Sequence, residues 1–534
     1  MTLLRLCRLV SIPFLILLLL HSFPPTTHIP LLSQTTTTTA TTTMEGGNLG
    51  LLKFLAPQLP SLANTAVWHS LGMTENSAHW DLRTAITVQV LRQMMSGNGK
   101  PRSVLGVQGT TLKDPGIKGK MWIAKATIPA PREGEEGLRE GVSRAMEEMK
   151  PQGAGQLRFT RPGLVDVEVE WTGFRPGAGK EEALPDVSEV EKYRRLMAEP
   201  TRTSETTILY FHGGAYYLCD PITHRLQCSR LAKESQGRVC SIRYRLAPQT
   251  AFPGQLLDAL MVYLSLIYPP EGSMHEAVSA DKIVLAGDSA GGNLSFALLQ
   301  LMLQFHRTSS NPTLLFHGKE VPIPLPAGAT ANSGWFDISR CMPSLDSYAK
   351  YDYLPPPKHD LGAPPFRNDT AWPADPPRGD LFCDLSLIDH PLVSMLVADD
   401  WSQSPPMWLS TGWEMLHDED AFVASRAASQ GVRVQYEEYE AMPHCFQMLL
   451  PTLANSEKCF RSWGDFCRRC VEGPGSVQGC GKFVKVKGGG EQALDVEGVS
   501  GMGVEEVRKR LGDAKARRVR AFERRVDGVA KAAL

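Results

Sequence analysis

The chain carries almost no net charge, with 56 Lys and Arg standing against 57 Asp and Glu for a formal −1. No field of one sign therefore calls for nucleic acid or an anionic membrane as a general partner. Cysteine is sparse too. Eleven in 534 residues, scattered and odd in number, form no disulfide framework and lean towards a reducing compartment. The one cluster, Cys467-Arg-Arg-Cys470 between Cys459 and Cys480, has a single close pair and no histidine nearby. A zinc knuckle needs two close ligand pairs, so the cluster reads as free thiols or an adventitious disulfide rather than a metal site. What is present is an ordinary globular composition, 42% hydrophobic and 21% charged with 47 Gly and 39 Pro. That excludes a disordered, collagen-like or small disulfide-stapled protein. It supplies a large core, in a few domains or in one large α/β domain with appendages.

The amino terminus reads three ways. Arg5 and Arg8 precede an apolar run from Leu9 to Leu20, short for a membrane span, and the threonine-rich tract Thr35 to Thr43 cannot pack a core. The segment is a signal anchor, which would tie the chain to a membrane, or a cleaved signal, or an over-extended gene model that starts at Met44. The first two send the protein to the secretory route and the third leaves it cytoplasmic. The sequon Asn368-Asp-Thr370 matters only on that route.

Beyond Met44 the apolar period sorts the elements. Leu82, Ile86 and Val90 recur at helical spacing within Asp81 to Met95, and Met94 and Met95 read as gap-filling core. Met121 to Ile128 reads as a strand. Val165 to Trp171 alternates strictly and reads as a half-buried or edge strand. Pro131 to Gly163 reads as an inserted loop with a short helix. Ile208–Phe211, Val239–Tyr244, Lys282–Ala286, Met407–Ser410 and Val432–Tyr439 are compact strands, with helical patterns at Pro253–Tyr268 and Gly292–Phe305. Strands alternating with helices mean an α/β fold with a mostly parallel sheet covered on both faces.

The chemistry sits at strand ends. Gly287-Asp288-Ser289-Ala290-Gly291 is a G-x-S-x-G turn with a strand before it and a helix after it, the context in which the motif exposes a nucleophilic serine. His212-Gly213-Gly214-Ala215 follows the strand ending at Phe211, and its small residues let backbone N–H groups converge as an oxyanion hole requires. His212 reads as a loop orienter rather than the base. Of the histidines after the serine (His306, His317, His359, His390, His417, His444), His444 lies just past the last strand, where a loop can carry it over the nucleophile. Glu414 follows Met407–Ser410, and Asp418 is the alternative acid. Ser289, Glu414 and His444 stand in nucleophile–acid–base order.

Residues 204–450 resemble the hormone-sensitive-lipase-like branch of the α/β-hydrolase fold. The residues that carry the resemblance are His212-Gly-Gly-Ala-Tyr216, Tyr244-Arg-Leu-Ala-Pro248 with Phe252-Pro253, Gly287-Asp-Ser-Ala-Gly-Gly-Asn293 and Met442-Pro-His444. The flanks are similar to longer fungal members, which include steryl acetyl hydrolases and esterases. The resemblance implies an eight-stranded, mostly parallel sheet flanked by helices, with an amino-terminal helical cap and a basic carboxy-terminal helical tail. It divides the chain into 1–43, a cap region 44–118, a catalytic domain 119–460 with inserted loops 131–163 and 337–405, and an extension 461–534. Two departures stand out. Ala215 replaces the third glycine of the family's His-Gly-Gly-Gly but keeps its N–H, and Glu414 stands where the family's acid motif has its first aspartate. His417 falls at that motif's arginine and reads as a surface residue.

The implied activity is hydrolysis of a short-acyl or acetyl ester by a Ser289–Glu414–His444 triad, with no metal or organic cofactor. The oxyanion is held by Gly213, Gly214 or Ala215 together with Ala290. Asp288 and Asn293 read as hydrogen-bonders of the elbow, and Tyr216, Tyr217 and Trp413 as lining residues or plain core. A non-hydrolytic receptor or scaffold on the same fold, and an amide or lactone hydrolase or acyltransferase using the same triad, remain alternatives, and the oligomeric state is open. Finally, Val504 to Leu534 carries ten Lys and Arg against five Asp and Glu. It reads as a solvated surface helix, the alternative being a basic helix for acidic lipid or a partner.

Overall fold

Ten strands form one sheet because the buried, branched runs of the sequence pair in a single series. The computed structural model describes residues 56–96, 102–356 and 366–532. The strands of the sheet are β1 (Met121–Ile128), β2 (Val167–Phe174), β3 (Thr207–Phe211), β4 (Arg238–Ile242), β5 (Ile283–Asp288), β8 (Gly328–Asn332), β9 (Met407–Gly412), β10 (Val434–Tyr439), β11 (Cys480–Val484) and β12 (Glu491–Leu494). A separate hairpin holds β6 (Thr313–Phe316) and β7 (Lys319–Pro322). The sheet order is β1-β2-β4-β3-β5-β8-β9-β10-β11-β12. The run from β4 to β11 is parallel, while β1, β2 and β12 are antiparallel to their neighbours.

Three expectations change at this level. The sheet has ten strands rather than eight, because β11 and β12 come from the segment read as an extension. β2 is not an edge strand, since β1 covers its outer side, and Trp171 in it is fully buried. The same extension also supplies core. Helix Ala454–Glu472 lays Trp463 flat against Trp408 of β9 at 5.2 Å and donates its indole N–H to Thr330 Oγ1 of β8 at 2.7 Å. Cys459, Cys467 and Cys470 are buried on this helix as free thiols.

The described residues divide into two compact units, one made of 56–96 with Lys350–Pro355, the other of 102–349 with 356 and 366–532. In the first, helices α1 (Leu59–Ser70) and α2 (Leu82–Ser96) meet through Leu62, Ala66, Ile86 and Val90. The segment 350–355 docks there by Arg92, which donates to the carbonyls of Lys350 and Asp352 at 2.6 Å each. Met94 and Met95 are exposed, not gap-filling: they lie in the last turn of α2, beyond the packed Ile86 and Val90. The second unit contains the sheet and helices α3 (Val104–Thr111), α4 (Gly137–Glu148), α5 (Glu189–Met197), α6 (Pro221–Ser235), α7 (Gly254–Ile267), α8 (Ala290–Thr308), α9 (His417–Ser429), α10 (Ala454–Glu472) and α11 (Val504–Ala532). Helix α6 starts at a capping box, Asp220 accepting from Ile222 N–H and Thr223 bonding back, with Pro221 in the first turn.

Helix α11 is not a free surface helix. Val507, Leu511, Ala514 and Ala521 bury a stripe at helical spacing. Its cations reach the aspartates of the 337–405 insertion, Arg508 to Asp399, Lys515 to Asp389 at 2.6 Å and Arg518 to Asp380 at 3.0 Å. The described part of that insertion is loops and single helical turns, as its prolines require, with Leu387, Ile388 and Val393 buried. The readings placed on residues 1–43, on Pro357, Pro364 and Pro365 and on His359 lie outside the described residues. No helix among the described residues is long and apolar enough to cross a membrane.

Candidate active site

Adjacent parallel strands end on one edge of the sheet, and the predicted residues stand there. Ser289 follows β5, Glu414 follows β9 and His444 follows β10. Ser289 is the pivot between β5 and α8, with φ +52° and ψ −121°, a conformation that costs a non-glycine residue energy and is held by its surroundings. Its N–H donates to Asn332 O at 3.0 Å, and its carbonyl accepts from Trp335 N–H at 3.0 Å and Asn293 N–H at 3.1 Å. The turn is too tight for side chains beside it. A Cβ on Gly287 would stand 2.2 Å from Gly291 O, and one on Gly291 would stand 1.9 Å from Phe211 O. Ser289 is half-buried in an otherwise buried stretch.

His444 and Glu414 form a buried pair, His444 Nδ1 hydrogen-bonding Glu414 Oε2. The other carboxylate oxygen, Oε1, accepts from Ser333 Oγ at 2.5 Å, Thr411 Oγ1 at 3.1 Å and Gly412 N–H at 3.2 Å. Burial pushes this carboxyl up, but His444 and these donors outweigh it and hold the carboxyl below its ordinary range. The two halves of the site meet through their neighbours, since Cys445 Sγ lies 3.8 Å from Asp288 Oδ2. The alternative acid, Asp418, points elsewhere, accepting from Ser344 N–H at 2.8 Å and lying 3.1 Å from His417 Nδ1. His417 is buried, contrary to the surface reading. The start of α9 places it between Asp418 and Glu438, and these carboxylates raise its pKa to about 9 against the opposing effect of burial.

The loop after β3 runs through three consecutive positive φ angles, Gly214 (+111°), Ala215 (+52°) and Tyr216 (+64°). The N–H groups of Gly214 and Ala215 donate to no acceptor among the described residues, and Ala290 N–H, in the first turn of α8, has no partner within the helix. Gly213 differs. Its N–H donates to Asp288 Oδ1 at 3.1 Å, which removes it from the candidate donors.

Asp288 anchors this loop to the elbow. It also accepts from Tyr210 OH and lies 3.3 Å from His224 Nε2. His212 is buried with Nδ1 2.7 Å from Gly213 O, and its ring stacks on Tyr244 at 4.2 Å. Burial lowers its pKa to about 4, which suits a neutral orienter. Asn293 ties the elbow helix to Trp335 O, Val393 O and Tyr216 OH at 2.7–3.0 Å. Tyr216 itself is buried and stacked on Phe382 at 3.7 Å. Tyr217 is half-buried in the cluster of Val104, Phe366, Trp372 and Leu381. The Trp413 ring stacks on Tyr348 and donates to Glu438. Of the other histidines, His390 is buried on Met146 O at 2.9 Å and His306 holds Ile323 O at 2.8 Å.

Ser333 is the residue that sequence reasoning missed. It sits just past β8 at φ +50°, donates to Glu414 and accepts Cys445 N–H at 3.1 Å, so one hydroxyl braces both the acid and the histidine loop. The small residues of Ala329-Thr-Ala-Asn-Ser333 at a strand end were the available signal.

Residues 208–448 match the family profile of the alpha/beta hydrolase fold. An acetyl-hydrolase of Streptomyces hygroscopicus is 28% identical over 270 residues, spanning 50% of this chain and 77% of the relative. The hormone-sensitive lipase of Ictidomys tridecemlineatus is 32% identical over 148 residues, 27% of this chain and 19% of that one. Among solved structures, a hormone-sensitive lipase from a metagenome library is similar at 23% identity and a TM-score of 0.45, covering 72% of this chain and 97% of that one. Residues 208–448 of this chain have the α/β-hydrolase fold.

Proposed function

We propose that the chain hydrolyses a carboxylic ester through Ser289, His444 and Glu414, with residues 119–460 as the catalytic region. The observation that carries the reading is the buried His444–Glu414 pair, which stands at the strand edge that also presents Ser289 in its strained turn. Glu414 fixes Nδ1 as the protonated nitrogen, which leaves Nε2 to take the Ser289 proton as Oγ attacks the ester carbonyl. The oxyanion is received by the N–H groups of Gly214, Ala215 and Ala290, aided by the positive end of α8. His444 then protonates the leaving alcohol, and water resolves the acyl-enzyme by the same route in reverse. The name of the Streptomyces relative makes a short acyl group, acetyl first, the substrate to try.

The test is hydrolysis of p-nitrophenyl acetate, butyrate, octanoate and palmitate by the full chain beside Ser289→Ala. Activity on the short esters that falls to background in the variant is expected. Equal inertness of both proteins on every ester refutes the reading and favours a receptor or acyl-transfer role.

A further inference from the structure

Arg340 makes no ion pair among the described residues. Arg340 leaves the loop after β8 at φ +56°, its backbone N–H donating to Asp337 O at 3.2 Å. Its guanidinium lies over the Trp335 ring, 5.5 Å from the centroid, and Trp335 N–H holds the Ser289 carbonyl. The group thus rests on the side chain of the residue whose backbone N–H holds the Ser289 carbonyl. No ion pair or hydrogen bond of this guanidinium is formed among the described residues.

The surrounding charges do not balance it. Arg518, Asp380, Tyr217 and Glu419 are the groups whose fields reach it. Asp380 is committed to Arg518 at 3.0 Å, with both side chains largely buried. Glu419 is fully buried, and burial together with Asp337 holds its carboxyl well above the ordinary range, so it is a poor counter-charge. Two guanidinium groups therefore share one carboxylate. On the other side stands the Tyr217 phenol, which also feels Arg102 and which follows directly on the Gly214–Tyr216 loop. Arg340 is half-buried, so its charge is partly withdrawn from water without an ionic partner among the described residues, and pairing with an anion would recover that cost. A guanidinium over an indole face keeps its in-plane N–H groups free, and these match a carboxylate as a two-pronged donor.

We propose that Arg340 is the anchor of an anion subsite, and that the natural ester carries a carboxylate in its acyl or alcohol half that pairs with this guanidinium. The proposal rests on the ester-hydrolase reading for its context but is tested separately from it. The probes are p-nitrophenyl hemiglutarate and p-nitrophenyl valerate, near-isosteric acyl groups with and without a terminal carboxylate, each corrected for spontaneous hydrolysis. The wild type is expected to favour the hemiglutarate at least ~10-fold in kcat/KM, a difference of about one paired charge. Arg340→Met should bring that ratio to near one, and Arg340→Lys should keep part of it. A wild-type ratio near one, or a ratio that survives Arg340→Met, overturns the proposal. If neither ester is cleaved, the hydrolase reading is what fails. Calorimetry on Ser289→Ala then decides the subsite by itself. Monomethyl glutarate binding at least ~10-fold tighter than dimethyl glutarate supports it, and equal binding overturns it.

Discussion

Replacing Glu414 by glutamine tests the triad at its most defined point. The change is isosteric, and the pocket dictates which way the amide must sit. Three donors converge on Oε1, from Ser333, Thr411 and Gly412, so the amide oxygen has to stay on that side. The NH2 group then faces His444 Nδ1, where the carboxylate Oε2 stood. Nδ1 becomes an acceptor, the proton moves to Nε2, and the nitrogen that should accept the Ser289 proton no longer can. The wrong tautomer and the lost charge on a developing imidazolium together cost about 10³–10⁴ in kcat, roughly 4–5.5 kcal/mol of transition-state stabilisation. KM should change little, because the acid does not touch substrate. The assay is steady-state hydrolysis of p-nitrophenyl butyrate, with Asp418→Asn alongside. Asp418 bonds Ser344 and His417 instead, so its variant should stay within about threefold of wild type. If Glu414→Gln keeps more than a tenth of the activity while Asp418→Asn is dead, the tautomer argument is wrong and the acid has been misassigned.

Ser333→Ala removes a donor to the Glu414 carboxylate and leaves Cys445 N–H without its acceptor, a loss of about 1.5–3 kcal/mol in stability. It should lower kcat about tenfold at unchanged KM, and Ser333→Gly, which suits the left-handed backbone but lacks the hydroxyl, should be equally slow; a fast glycine variant would refute the brace. The second perturbation is pH, through the buried His224–Asp288 pair. Burial opposes both charges, yet Asp288 holds the His224 pKa above its ordinary value and His224 holds that of Asp288 below. The histidine's contribution is complete below about pH 6.5 and is lost as pH rises through its raised pKa, whereas the aspartate's is complete above about pH 4 and is lost as pH falls through its lowered one. The Tm gap between wild type and His224→Gln should therefore be widest between these limits and shrink as the solution becomes alkaline. A gap that grows with pH would show that the ring is neutral in the fold.

The arrangement at the strand ends was legible where residue type is forced by covalent reach. Only small residues fit a turn in which a Cβ on Gly291 would meet the Phe211 carbonyl at 1.9 Å, so the elbow announces itself in the sequence. The pairing of Glu414 with His444 was readable because a strand end is where a loop side chain can cross to its neighbour. Gly213 was not, since nothing local says that its N–H turns to Asp288, 75 residues later. Ser333 was missed for a related reason. Its strand, Gly328–Asn332, is five small or polar residues buried on both faces, which carry no alternation and no branched run. His417 was misplaced because burial between Asp418 and Glu438 is a tertiary fact, set by how α9 meets β10.

The carboxy-terminal segment shows the same limit from another side, and it bears on how the site is built. Read alone, a run of cations means solvent or an acidic partner. The partner is in the chain itself, since Asp380, Asp389 and Asp399 of the insertion take Arg518, Lys515 and Arg508. Two residues after Asp380, Phe382 stacks on Tyr216, and Tyr216 hydroxyl holds Asn293 in the elbow helix. A continuous set of contacts thus runs from α11 through the insertion to the loop that carries Gly214 and Ala215. The proposed oxyanion role of those two N–H groups requires Ala215 and Tyr216 to be kept at positive φ, a conformation that neither side chain favours. The strain has to be met by packing from outside the loop, and the Phe382 ring, clamped by the tail, supplies it. On this argument the long extension, which contributes two strands and a core helix as well as the basic helix, helps to hold that loop in place.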